Sequence, residues 1–345
     1  MSSLPHEPLV IAGAGPIGLA CAVSAKRRGG DPLVLDAGAI VNSIVHYPIG
    51  MTFFTTPEGL EIGGHPIVCA GAKPTREEAM KYYRGVVRTE GIRVRPYVRL
   101  TGADRSGDRG PLTLSLETRL GPERITTDTL VLATGYFDRP NRLDVPGEDL
   151  PHVHHYFDEP HRSSGLDVVV VGGKNSAVEA ALQLYRAGAR VTLVYRGKAL
   201  KPTVKYWLRP DFENRVKAGE IEARFGAEVT AIDPREVTIR TGWKRQETIP
   251  ADRVYALIGF TPDFDFFRSL GIALDQETGR PTIDPETLET NVRGIHMAGS
   301  IISGKKISEV FIENGRYDGE KIFGDEAARR RADQLYETRV RPEGE

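Results

Sequence analysis

Strand, glycine-rich turn, helix and strand follow one another twice in this chain, and no other feature limits its fold as much. The first occurrence, residues 8–38, reads PLVIAGAGPIGLACAVSAKRRGGDPLVLDAG; the second, residues 166–197, reads LDVVVVGGKNSAVEAALQLYRAGARVTLVYRG. An apolar run of strand length, a tight turn, a helix with small residues on one face and a second apolar strand make the opening of a dinucleotide-binding unit. Two such openings predict an α/β protein of two Rossmann-like, three-layer ββα domains. A chain of 345 residues also exceeds what one hydrophobic core ordinarily serves.

The intervening sequence predicts how the two are connected. Residues 128–149, DTLVLATGYFDRPNRLDVPGED, form an apolar strand followed by a Pro/Gly-rich crossing, and residues 252–266, DRVYALIGFTPDFDF, read as the return crossing. The expectation is a discontinuous first domain, residues 1–160 and 260–345, with the second, residues 161–259, inserted in it. The closing segment NVRGIHMAGSIISGKKISEVFIENGRYDGEKIF, residues 291–323, predicts a short strand, a glycine loop and a helix with Ser308 as its N-cap. The charged tail from Arg329 is expected to fray at its end.

Each residue of the first turn has a separate task. Gly13 permits the tight strand-to-helix turn, Gly15 lets a pyrophosphate approach the backbone, and Gly18 lets the helix pack on the sheet, with Pro16 between the last two. The free N–H groups and partial positive charge of the helix N-terminus suit a diphosphate. Asp36 closes the next strand, where a carboxylate binds a ribose diol. Thr134 and Gly135 follow the strand of the first crossing, and Gly299 and Ser300 follow the strand of the closing segment.

In the second turn, GGKNSA, Gly172 keeps the tight turn and Ala177 the packing position, with Gly173, Asn175 and Ser176 between them, but Lys174 stands where the backbone would approach the ligand. The following strand ends at Tyr195 and Arg196 rather than at an acid, with Lys198 and Lys201 nearby. A guanidinium favours a 2′-phosphate where a carboxylate repels it. The second nucleotide is therefore expected to be NADPH rather than NADH.

Composition removes several classes of function. A formal net charge of −1 gives no reason to expect nucleic acid or an anionic membrane as partner. Cys21 and Cys69 are the only cysteines and belong to no C-x-x-C or zinc-ligand spacing, so no metal site is expected. The apolar opening lacks a basic leader and is broken by Gly13, Gly15, Pro16 and Gly18, and no apolar run of membrane-spanning length occurs. A cytoplasmic setting is expected.

The chain resembles the two-dinucleotide-domain flavoproteins, the pyridine nucleotide-disulfide reductase superfamily in its small, thioredoxin-reductase-like form. ATGYFDRPNRLDVPG, residues 133–147, is similar to that superfamily's strand and crossing. More narrowly, residues 42–64, 73–84, 172–182, 195–197, 207–221 and 311–319 resemble the YpdA family of bacillithiol disulfide reductases. The resemblance implies FAD in the first domain, NADPH in the second, a low-molecular-weight disulfide as acceptor, and a homodimer. It would put Gly13, Gly15, Pro16, Gly18, Asp36, Thr134, Gly135, Gly299 and Ser300 around FAD, and Gly172–Ala177, Tyr195, Arg196 and Lys198 around NADPH. A helix from Ser308, helped by Lys305 and Lys306, would turn its positive end toward the flavin.

Three departures bear on mechanism. The C-x-x-C of thioredoxin reductases is missing, as it is from ferredoxin-NADP reductases of the same architecture, so a dithiol relay is excluded. Ser300 replaces the acid common after Ala-Gly in the closing motif, and Ile17 holds the place where YpdA proteins carry cysteine. Cys21 lies one helical turn beyond Ile17, about 6 Å along the axis and away from the N-terminal dipole. Among Leu19, Ala20, Ala22 and Val23 it is expected to act as a small hydrophobe, and Cys69 is expected to have no redox role either. His46 and Tyr156 are candidates to protonate a leaving thiolate, and Tyr47, Phe53 and Phe54 to line the flavin pocket; no catalytic residue is assigned. Two alternatives stay open: an NADPH reductase of ferredoxin, flavodoxin or quinone, and a non-catalytic flavin or nucleotide sensor.

Overall fold

The computed structural model describes residues 4–105, 107, 110–242 and 245–337. The chain forms two compact units, one of Met1–Val45, Gly50–Arg139 and Thr261–Glu345, the other of His46–Ile49 and Pro140–Phe260.

The first unit is built on a parallel sheet of five strands in the order Ile295–Met297, Thr129–Leu132, Leu9–Ala12, Leu33–Asp36, Arg93–Pro96. Leu9–Ala12 is apolar at every position because it lies at the sheet centre and is covered on both faces. Val10 and Ala12 face a core shared with Leu112, Leu114 and Leu116 of an antiparallel sheet, Val98–Arg105, Leu112–Thr118 and Gly121–Thr127. In Leu112–Thr118 the buried leucines alternate with less buried Thr113, Ser115 and Glu117, the period-two pattern of a sheet covered on one face. The helix Pro16–Lys26 is buried continuously from Gly18 to Ala25, and its small residues let the helix Asp318–Phe323 pack closely on it. An added Cβ on Gly319 would stand 2.8 Å from the Cys21 Cα.

The second unit repeats this plan. Its parallel sheet runs Ile221–Phe225, Arg190–Tyr195, Asp167–Val171, Arg253–Ala256, Val153–His154, and its antiparallel sheet is Ala227–Asp233, Glu236–Thr241 and Arg245–Pro250. Val168 and Val170 pack toward the helix Asn175–Arg186; Val169 and Val171 pack toward Val237, Ile239 and Ile249 of the antiparallel sheet. Helix, parallel sheet and antiparallel sheet are the expected α/β layers of a Rossmann-like unit, present twice.

The closing segment departs from the sequence reading. Ser308 caps no helix: residues 304–311 form turns, and the helix begins at Ile312. Lys305 donates its backbone N–H to Thr278 O, and Arg280 pairs with Glu309, so long-range partners hold this stretch out of helical geometry. Asn314 closes the start of the helix instead, its Oδ1 accepting from Phe311 N at 2.8 Å. This helix, Ile312–Gly315, is a single turn and has too few aligned peptides for the field expected of a helix from Ser308. The charged tail from Arg329 lies in a helix, Glu326–Glu337, for which the sequence reading predicted no element; its end, residues 338–345, which was expected to fray, lies outside the described residues. No helix among the described residues is long and apolar enough to cross a membrane.

Candidate functional site

At the first turn the backbone itself enforces the glycines. Gly13 has φ +116°, and a Cβ there would lie 2.3 Å from Ala133 O; a Cβ on Gly18 would lie 1.9 Å from Gly13 O. Gly15 differs. Its φ of −73° is open to any residue, and nothing lies within 4 Å of the position a Cβ would take. The protein's own packing makes no demand for glycine at position 15, and the open space lies over the N-cap of Pro16–Lys26, where no side chain caps the helix. Uncapped N–H groups beside an unfilled backbone surface fit a pyrophosphate.

Asp36 stands at the end of the neighbouring strand and already accepts two backbone hydrogen bonds, Ala14 N to Oδ2 and Gly38 N to Oδ1, each 2.7 Å. Burial pushes its carboxyl above the usual range, against the lowering effect of those bonds. The carboxylate thus fixes the turn, and lone pairs remain for a diol. Thr134 is exposed, and Gly135, with φ +67°, has no atom within 4 Å of a would-be Cβ.

Gly299 follows the strand Ile295–Met297 with φ +79° and begins a short 3-10 turn through Ser303. Its N–H donates to Asp318 Oδ2 at 2.6 Å. Asp318 is buried and has no ion-pair partner within salt-bridge distance among the described residues; desolvation pushes its carboxyl up to about 7. Sequence reasoning missed this residue, whose only local signal is an acid beside Gly319 in the small-residue stretch that meets the first helix. Ser300 contributes its carbonyl to Ser303 Oγ at 2.7 Å. Ile17 fills the space between turns: its side chain lies against Gly299 and Gly315, 3.2 Å and 3.0 Å from where their Cβ atoms would stand. An aliphatic contact thus occupies the position where the family resemblance led to cysteine.

Cys21 is fully buried, and burial, with the Asp318 carboxyl adding to it, pushes its thiol well above the usual value. A thiol so placed is neither accessible nor ionised. Cys69 is partly exposed and donates Sγ–H to Gly71 O at 3.1 Å. The expectation that Cys21 behaves as a buried hydrophobe agrees with this geometry.

In the second unit, Gly172 has φ +145° and faces Leu257 O and the buried Ala177 Cβ, while Gly173 lies against the Tyr195 ring, 2.4 Å from a would-be Cβ. Tyr195 therefore supports the turn from below. Lys174 is the N-cap of Asn175–Arg186 without a capping side chain and is exposed, as is Ser176. Asn175 faces the next loop, its Oδ1 accepting from Lys205 N at 2.9 Å. Arg196 and Lys198 are exposed at the strand end.

The remaining candidates separate. His46 and Tyr156 are neighbours in the second unit, ring centroids 5.6 Å apart, and Tyr156 is as close to Phe260. Phe53 is buried and belongs to the first unit, and its N–H donates to Pro74 O. Phe54 is exposed, and Tyr47 belongs to the second unit. Lys305 Nζ donates to Glu277 O and Lys306 pairs with Glu309, so both loop lysines are engaged by neighbours on the surface.

Residues 10–299 match the family described as pyridine nucleotide-disulphide oxidoreductase. The chain belongs to this family. Over 324 residues it is 45% identical to Bacilliredoxin reductase Bdr of Bacillus subtilis (strain 168), covering 94% of this chain and 98% of that one. The solved structure of Bacillithiol Disulfide Reductase Bdr (YpdA) from Bacillus cereus superposes with a TM-score of 0.89 at 41% identity, over 96% of this chain and 99% of that chain. A ferredoxin–NADP reductase of Ignicoccus hospitalis (strain KIN4/I / DSM 18386 / JCM 14125) is 29% identical over 91% of this chain and 96% of its own. The matched residues include both glycine turns, Gly13–Gly18 and Gly172–Ala177.

Proposed function

We propose that this oxidoreductase uses NADPH and FAD to reduce a low-molecular-weight disulfide, with bacillithiol disulfide the foremost candidate. The observation that carries the reading is the open, uncapped helix start at Gly15 together with its counterpart at Lys174, in a chain alike over nearly its whole length to a bacillithiol disulfide reductase and to a bacilliredoxin reductase. Held at the first turn by Gly13, Gly15, Gly18 and Asp36, FAD would supply the two-electron chemistry that links NADPH to the disulfide.

The chain's own residues bind and orient. Gly13, Gly15 and Gly18 let the first helix start meet a diphosphate, Pro16 fixes the first turn of that helix, and Asp36 holds the turn while offering a ribose acceptor. Thr134, Gly135, Gly299 and Ser300 supply backbone at two further strand ends. Gly172–Ala177 and Tyr195 shape the second turn, and Arg196 and Lys198 bring charge for a 2′-phosphate. Reducing a disulfide to two thiols consumes two electrons and two protons; the His46 ring and the Tyr156 hydroxyl are the groups offered for a proton at the leaving sulfur. With Cys21 buried and no C-x-x-C, no protein dithiol takes part.

The proposal includes a homodimer and a cytoplasmic setting, both supported by the family resemblance. One further reading, an NADPH reductase of ferredoxin, flavodoxin or quinone, is favoured by the lack of a redox-active cysteine pair. Steady-state assays separate the two: turnover of bacillithiol disulfide above that of ferredoxin is expected, and ferredoxin reduction with no disulfide turnover would select the second reading.

A further inference from the structure

Beside Arg196 the second unit carries a groove of about 430 Å³ lined by Arg196, Gly226, Glu228, Arg240 and Gly242. Arg196 follows the strand Arg190–Tyr195, and the adjacent strand Ile221–Phe225 ends at Gly226, whose N–H donates to Gly197 O at 2.9 Å. The two strand ends are thereby tied at the edge where the ribose of a dinucleotide lies in this type of fold. The antiparallel sheet then brings Glu228 directly opposite Arg240, with Arg240 Nη2 3.1 Å from Glu228 Oε2. Gly226 and Gly242 have φ of +66° and +62°, and no atom lies within 4 Å of a would-be Cβ on either, so the groove wall is open backbone there.

We infer that Arg240 is a second guanidinium for the 2′-phosphate of the pyridine nucleotide, and that Glu228 sets how strongly it is engaged. This rests on the NADPH reading above and extends it to residues outside the glycine-turn motif. Arg240 and Glu228 are both about half exposed, side chains 48% and 55%, so their pairing is weak and easily exchanged. A phosphate monoester carries close to two charges and three acceptor oxygens, enough to be shared by two guanidinium forks. Glu228 works in the opposite sense, holding Arg240 when the groove is empty and repelling the phosphate when it is filled. Among the described residues, the groove's lining side chains carry two positive charges and one negative, a balance that accepts an anion and that one substitution alters in either direction.

The test is calorimetric titration of the full-length protein with 2′,5′-ADP, 5′-AMP and inorganic phosphate. Wild type is expected to prefer 2′,5′-ADP. Arg240→Met should reduce that preference about tenfold, the effect of losing one charge-assisted hydrogen bond, and Glu228→Gln should increase it. A wild type that binds 2′,5′-ADP no better than 5′-AMP would overturn the NADPH reading itself. A preference lost in Arg196→Met but unchanged in both Arg240→Met and Glu228→Gln would leave that reading standing and overturn this inference. Inorganic phosphate binding as tightly as 2′,5′-ADP would overturn the assignment to a nucleotide. Native circular dichroism of each variant distinguishes lost contacts from lost fold.

Discussion

Gly15, the N-cap, and Gly18, in the first turn of the helix Pro16–Lys26, stand three positions apart, and the structure assigns them opposite reasons for being glycine. Alanine at 18 would drive a Cβ to 1.9 Å from Gly13 O, a backbone atom that cannot swing aside because Gly13 itself packs on Ala133. Alanine's better helix propensity returns about 1 kcal/mol, less than the overpacking strain of about 3 kcal/mol or more. A net loss of about 2 kcal/mol should lower the apoprotein Tm by roughly 4–8 °C. Alanine at 15 meets no atom and needs no change of φ, and the weaker N-cap costs about 0.5 kcal/mol, or roughly 1–2 °C. Its methyl group does enter the space assigned to a diphosphate. Gly15→Ala should therefore keep a near-native apoprotein Tm but lose FAD, read as flavin absorbance per polypeptide after reconstitution, whereas Gly18→Ala should lose stability first. An apoprotein equally unstable in both variants, or full FAD occupancy in Gly15→Ala, would refute this division.

Three other outcomes follow from named contacts. Asp318→Asn should stabilise the protein at pH 8 and not at pH 4, because a carboxyl raised to about 7 from the usual 3.8 holds its proton in the native state over a range where the unfolded chain has already ionised; the penalty, up to about 4 kcal/mol, grows between pH 4 and 7 and is fully present at pH 8. Thermal unfolding at both pH values checks this, and a larger gain at pH 4 would contradict it. Replacing Cys21 and Cys69 together by alanine should leave kcat/KM for NADPH-dependent disulfide reduction within about twofold; abolished turnover with FAD retained would show a protein thiol at work. Asn175→Ala removes the hydrogen bond to Lys205 N and should raise the KM for NADPH about fivefold with kcat unchanged, whereas an unchanged KM would mean that the loop needs no anchor.

What was legible in the sequence is what local chemistry decides. The glycine turns, the helices they open and the paired strands were readable because a positive φ at Gly13 and Gly172 and close packing at Gly18 and Ala177 leave few alternatives. The burial of Cys21 was readable for a similar reason, since its neighbours in the sequence are apolar. Ser308 misled because its helix-starting pattern is local, while the backbone bond from Lys305 to Thr278 O is not. The helix Glu326–Glu337 was hidden by charge: Ala328 and Ala332 are buried, but arginines and acids surround them in the sequence. Asp318 and Arg240 were missed for one physical reason. Their partners, Gly299 and the groove at Arg196, come from distant strands, and no spacing rule reports that meeting.

Two nucleotide cradles in one chain are proposed to pass electrons from NADPH through FAD to a small disulfide. Anaerobic titration of the FAD-loaded full-length protein with NADPH, followed by bacillithiol disulfide, tests this most directly. The account predicts that the yellow absorbance bleaches with one equivalent of NADPH and returns on adding the disulfide; a protein that takes up no flavin, or whose flavin NADPH does not bleach, would contradict it.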